Sequence, residues 1–117
     1  MNMTSVSTHL IKISGDAGLR NAQDIAASLR QALADHDSVA VETDAMIGVD
    51  ITTIQLLLAA RKQALASRKT LLLAAPAAGA LRQFLIEIGC LDTDGRPLTA
   101  DGDFWVHSTS KHQSKAA

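Results

Sequence analysis

The sequence predicts an α/β fold, a mainly parallel sheet of about four strands with helices packed on it. Two observations predict it. Short apolar runs bounded by turn residues alternate with longer stretches of helical period, in the order strand, helix, strand, helix, strand, helix. Such an order needs crossover connections, and crossovers join parallel strands. The material available is 117 residues, 47% hydrophobic but only 3% aromatic. That is one domain's worth of chain, and its core must come from Leu, Ile, Val and much Ala. Alanine faces let helices lie close to a sheet, which suits thin layers.

The first strand is expected over Val6 to Ile13, where Ile11 and Ile13 alternate with Lys12 and Ser14 before the turn Ser14-Gly15-Asp16. From Asn21 to Ala34 the period changes. Ile25, Leu29 and Leu33 are four apart, so the stretch reads as an amphipathic helix with Asn21 as its N-cap. Val39-Ala40-Val41 lies between Asp37-Ser38 and Glu42-Thr43-Asp44 and suits a strand buried on both faces. A loop through Met46, Ile47 and Gly48 then leads to Val49-Asp50.

A second helix is expected over Thr52 to Ala66, burying Ile54, Leu57, Leu58 and Leu65, with Arg61, Lys62 and Arg68 toward its C-terminal end, where cations match the helix dipole. Leu71-Leu72-Leu73-Ala74 reads as a third strand, stopped by Pro76. Pro76 to Ile88 reads as a helix with Pro in its first turn, the stripe Leu81, Phe84, Leu85 and Ile88, and Gly89 just past its end. After Asp92 the chain is polar, with turns at Asp94-Gly95 and Asp101-Gly102. Phe104-Trp105-Val106 is expected as an edge strand or a plug, with Trp105 either packing back on the domain or anchoring an interface. One domain is expected over residues 1–107 with its core in 6–91, followed by a flexible tail, 108–117.

Composition excludes several functions. Charged residues are 20%, with only 7 Gly and 2 Pro, so the chain is not a disordered tract. A net charge of -1 and few aromatics leave neither a basic field nor a stacking platform for nucleic acid. One Cys excludes a disulfide framework, and Cys90 reads as a small buried apolar residue. The histidines at 9, 36, 107 and 112 form no helical pair, so no metal site is expected. Asp92-Thr93-Asp94-Gly95 is a turn and not a calcium loop, because Pro97 stands where that loop needs Gly. No apolar run is long enough for a membrane span and no secretory leader is visible, so a cytoplasmic protein without membrane insertion is expected. No nucleophile–base pair, carboxylate pair or glycine-rich phosphate loop appears, so neither enzyme activity nor a cofactor is expected.

From Val39 to Leu91 the order of segments is informative as a whole. It runs Val39-Ala40-Val41-Glu42, Gly48-Val49-Asp50-Ile51-Thr52-Thr53, Leu56-Leu57-Leu58-Ala59-Ala60-Arg61, Leu71-Leu72-Leu73, Ala75-Pro76, then Ala80-Leu81-Arg82 through Ile88-Gly89-Cys90-Leu91. This order resembles the STAS domain, the module of sulfate transporters and anti-sigma factor antagonists, in its free-standing bacterial form. Glu42 stands where that family commonly has an acidic residue eight positions before the motif Asp. The resemblance implies a STAS-like fold and a signalling role exercised by binding protein.

It also implies a site. In many members a Ser or Thr just after the motif Asp is phosphorylated at the start of the partner-binding helix. Here Thr52 takes that position and Thr53 is the alternative; Thr53 replaces the usual Gly, and Ile51 a small hydroxyl residue. Partner contacts are expected from Asp44, Ile47, Gly48, Asp50, Ile51, Thr52, Thr53 and Gln55. From residue chemistry alone the two threonines are ordinary helix-start residues and Asp50 is an N-cap. The partner implied is an anti-sigma factor or a histidine-kinase-like serine/threonine kinase, in a sigma-factor, chemotaxis or other two-component pathway. The alternative is an accessory subunit docked on the ATPase of a lipid-transport ABC complex. A homodimer is compatible with either.

Overall fold

The computed structural model describes residues 7–100 and 102–106. Val6, Asp101, His107, His112 and the expected tail 108–117 lie outside the described residues. In chain order the elements are β1 (His9–Lys12), β2 (Gly15–Asp16), a 3-10 turn (Leu19–Asn21), α1 (Ala22–Asp35), β3 (Ser38–Glu42), β4 (Met46–Gly48), α2 (Ile51–Ala66), β5 (Thr70–Leu73), α3 (Gly79–Glu87) and the short α4 (Gly102–Val106).

The α/β architecture is as expected. β1, β3 and β5 form a parallel sheet in that order, and Val41 lies between Ile11 and Leu73. As the middle strand, β3 is covered on both faces. Val39, Ala40 and Val41 are all buried, which explains the unbroken apolar run. The sheet is smaller than the four strands expected, because β2 and β4 pair separately as a second parallel ribbon. Met46–Gly48, expected as a loop, is therefore a strand. It is too short to show a period, and backbone bonds hold it in place: Gly15 N–H donates to Ala45 O (3.0 Å) and Ala17 N–H to Gly48 O (2.7 Å).

α1 packs on α2, α2 on β5, α3 on β4 and α4 on β5. α1 buries Leu29, Ala32 and Leu33, close to the expected face. Asn21 occupies the N-cap position but makes no side-chain cap bond; its Nδ2 donates to Asp16 O at 2.7 Å instead. α2 buries Thr53, Ile54, Leu57, Ala60 and Ala64. Leu65, expected on that face, is 63% exposed. The small Ala60 and Ala64 carry the buried stripe there, and Leu65 stands one residue round from it. Leu29, Leu57, Leu73, Leu81, Leu85 and Leu91 are fully buried. Each contributes about 1.5–3 kcal/mol by leaving water, which is how a core nearly without aromatics holds.

α3 does not begin at Pro76. The chain enters it through Gly79 at φ 57°, a left-handed conformation that cannot continue a helix back toward Pro76. The intervening Ala77 donates its N–H to Trp105 O at 2.7 Å. Gly89 does follow the helix end, at φ 83°. In the next turn Asp92 Oδ1 accepts from Asp94 and Arg96 N–H, both at 2.9 Å. Those bonds, Arg96 N–H foremost, hold its carboxyl below the usual carboxylate range.

The Phe104–Trp105 cluster is a helix, not a strand, and it does plug the domain. Both side chains are buried, Trp105 completely. They meet edge-to-face at 4.9 Å, and the Arg61 guanidinium lies 5.3 Å from the Phe104 ring centre. Among the described residues the Trp105 Nε1–H has no acceptor. No helix of the described residues is long and apolar enough to cross a membrane.

Candidate functional site

The start of α2 is built from three pieces of chain: the β2–α1 connection, the end of β4, and the first turn of α2. Asp50 is the N-cap, in extended backbone conformation. Its Oδ1 accepts from Thr52 N–H at 2.9 Å and from Thr53 N–H at 3.4 Å. Asp50 N–H in turn donates to Thr53 Oγ1 at 3.1 Å, closing a capping box. Two donors that the first helical turn leaves unpaired are thereby satisfied.

The cap reaches further than its own helix. Asp50 Oδ2 accepts from Leu19 N–H at 3.0 Å, and the Thr53 hydroxyl donates to Ala17 O at 2.7 Å. Asp16 Oδ1 accepts from Gly18 N–H at 2.9 Å. One carboxylate and one hydroxyl thus clamp residues 17–19 onto α2. The approach is close. A Cβ at Gly18 would lie 2.4 Å from Asp50 Oδ2, and one at Gly48 would lie 2.8 Å from Asp16 Oδ1. Both positions need glycine for room.

The same bonds set the charge of the site. The Asp50 carboxyl is held below its ordinary value, first by the Leu19 N–H, against an opposing effect of burial, then by the Thr52 and Thr53 N–H groups and the Thr52 hydroxyl. Asp50 is ionised at neutral pH and sits at the positive end of the α2 dipole.

Of the residues expected from the sequence, Asp50, Thr52 and Thr53 come together in the cap. Thr53 is only 2% exposed, and its hydroxyl both donates and accepts. Thr52 is half-buried, Gln55 is exposed, and Gly48 is half-buried beneath Asp16. Ile47 and Ile51 project outward, 79% and 50% exposed. Asp44 is exposed in the turn closed by Met46 N–H to Thr43 O at 3.2 Å. Sequence reasoning missed the Asp16–Leu19 segment, which supplies half of the clamp. Leu19 is 71% exposed beside the cap it donates to. The available signal was Gly15-Asp16-Ala17-Gly18, two glycines bracketing an acid, which is more than a simple turn requires.

The family model described as "Mlab, STAS domain" matches residues 3–95. The chain belongs to the STAS domain family. No curated protein and no solved structure matches it. A STAS domain carries a general regulatory or binding role. In this STAS domain the α2 start combines a rigid ionised cap with three outward apolar side chains, Leu19, Ile47 and Ile51. That arrangement can dock a protein surface. It offers apolar area to bury, an anion for orientation, and a backbone held still before contact.

Proposed function

We propose that this STAS domain is a non-enzymatic docking module that meets a protein partner through the start of α2. The observation that carries the reading is the exposure of Leu19, Ile47 and Ile51 around the Asp50 cap. Burying one such side chain fully is worth about 1.5–3 kcal/mol, so three around a rigid frame supply an apolar anchor that works with the surrounding contacts against the cost of association. The partner in this reading is an anti-sigma factor or a histidine-kinase-like kinase in a signalling pathway.

Thr52 is then the phosphoacceptor, since the Thr53 hydroxyl is buried and used twice. A phosphate adds a charge of about -1.5 to -2. On Thr52 it stands beside the Asp50 carboxylate, which already accepts from the Thr52 N–H and hydroxyl. Like-charge repulsion loosens the cap, and with it the hold on Leu19. Docking is lost through the shape of the site as well as its charge.

The second reading is an accessory subunit on the ATPase of a lipid-transport ABC complex. The apolar character of the rim favours it, because such contacts serve a permanent interface without any charge switch. Titration calorimetry against the kinase or ATPase encoded nearest to this gene separates the two. Ile51→Asp is expected to weaken binding of the true partner at least tenfold. Unchanged affinity in Ile51→Asp and Ile47→Asp refutes the docking face itself. Incubation with that kinase and ATP, followed by mass spectrometry, tests the switch; phosphate absent from Thr52 removes the switch and leaves the permanent reading.

A further inference from the structure

The other end of α2 carries a second surface of opposite charge. Leu65 is 63% exposed and stands between two hollows. One, about 310 Å³, has a floor of Leu71, Leu72 and Phe104 and walls that include Arg61 and Lys69. The other, about 440 Å³, lies between Leu58, Arg61, Lys62 and Leu65. Among the described residues Asp103 is the one acid lining either. Arg68 comes just after Ser67, the C-cap of α2, and is exposed. Four of the chain's 11 cations therefore gather at one end of one helix in a protein whose net charge is -1.

Two of these cations also serve the fold. Arg61 lies over the Phe104 ring, and Lys69 Nζ donates to Leu33 O. Their charges still border the groove, Lys62 is exposed where it lines the second hollow, and Arg68 is exposed in the turn where its N–H donates to Leu65 O at 3.1 Å. β5 is the last strand of its sheet and lines the groove with Thr70, Leu71 and Leu72.

We propose that the C-terminal end of α2 is a second docking surface, taking a short acidic segment of a partner protein that places one apolar side chain beside Leu65. Charge complementarity selects the occupant. The chain's own residues 1–6 and 107–117 contain no Asp or Glu, and 107–117 carry Lys111 and Lys115, so neither segment complements the patch. A concave, apolar-floored groove admits a side chain; a flat lipid surface would leave it unfilled. The surface is separate from the α2 start. Sixteen helical residues span about 24 Å, so one rigid helix presents an acidic, apolar end and a basic, apolar end. Both can be occupied at once, which makes the domain a linker between two proteins.

The test uses the full chain and a fluorescein-labelled peptide of aspartates and glutamates around a single leucine. Anisotropy is expected to show binding that weakens as salt rises. Lys62→Glu and Leu65→Ser are each expected to weaken it at least tenfold, and Ile51→Ser is expected to leave it unchanged. Replacing the peptide's leucine by glycine is expected to weaken binding as Leu65→Ser does. The proposal is overturned if the peptide fails to bind at low salt, or if neither variant changes its affinity. It is equally overturned if anionic phosphatidylglycerol vesicles sediment the protein while the peptide does not bind, or if Leu65→Ser abolishes self-association and not peptide binding. Loss of α2-start docking by Ile51→Asp with peptide binding intact distinguishes failure of one surface from failure of the other.

Discussion

Replacing Thr53 by Val keeps the volume and β-branching of the side chain and removes only its hydroxyl. The hydroxyl donates to Ala17 O at 2.7 Å and accepts from Asp50 N–H at 3.1 Å. Thr53 is 2% exposed and Ala17 fully buried, so water cannot replace the lost partner at Ala17. A buried polar group left unsatisfied costs about 1–3 kcal/mol, and a lost bond at a less enclosed group about 0.5–1.5. Together these give about 2–4 kcal/mol, a large share of the 5–15 typical of a domain. At roughly 4 °C per kcal/mol for a chain of this size, Tm falls by about 8–16 °C. Urea unfolding followed by tryptophan emission measures the effect directly, because Trp105 is the sole Trp and is completely buried in the fold. The midpoint is expected to drop with the slope unchanged, since the native and unfolded surfaces stay the same. Thr53→Ser keeps both bonds and loses one methyl, at a cost near 1 kcal/mol. If Thr53→Val unfolds within about 0.5 kcal/mol of the wild type, or Thr53→Ser costs as much as Val, the clamp does not depend on the hydroxyl and the reasoning fails.

Three further outcomes follow from the same geometry. Gly18→Ala places a methyl 2.4 Å from Asp50 Oδ2, so it displaces the carboxylate from Leu19 N–H and destabilises by about 1–3 kcal/mol; thermal melts and the chemical shift of the Leu19 amide check this. Because the folded Asp50 pKa lies below its ordinary 3.8, its contribution is complete above that value and is lost as pH falls through the lower folded value. Acid titration should show the stability gap between wild type and Asp50→Asn closing over that range, while the Asp92 contribution keeps both curves falling. Leu85→Ala empties a fully buried position and should cost about 2–5 kcal/mol by urea unfolding.

The layer architecture was legible because each long element advertises its period. α1, α2 and the buried β3 and β5 all fall within a residue or two of the expected bounds. The missed short elements share a physical cause, which is that they are defined by backbone bonds to distant chain and not by their own side chains. β4 is three residues long and exists through its pairing with Gly15–Asp16. The Asp50–Leu19 bond spans 31 positions in sequence, and no local pattern in either segment encodes it. Leu65 was misplaced because an alanine stripe buries a helix as well as a leucine stripe does where the layers are close. The motif residues Asp50 to Thr53 were visible, but what each does was not. Thr53, which stands where the family usually has Gly, is a hydrogen-bonded strut in the structure.

In the proposed docking reading, two adjacent threonines divide stability from docking, and the division is measurable. Thr53 faces inward and carries the fold; Thr52 gives Asp50 its N–H at 2.9 Å and remains half-buried at the rim. A phosphate on Thr52 acts on the same carboxylate that Thr53 supports from behind, so the two perturbations meet at Asp50 from opposite sides. Thr52→Glu adds a single charge there and leaves the bond to Ala17 in place. It should lower partner affinity at least tenfold while shifting the urea midpoint less than Thr53→Val does. If Thr52→Glu and Thr53→Val reduce stability equally, the cap is one cooperative unit and a charge on Thr52 cannot release a partner without unfolding the helix start.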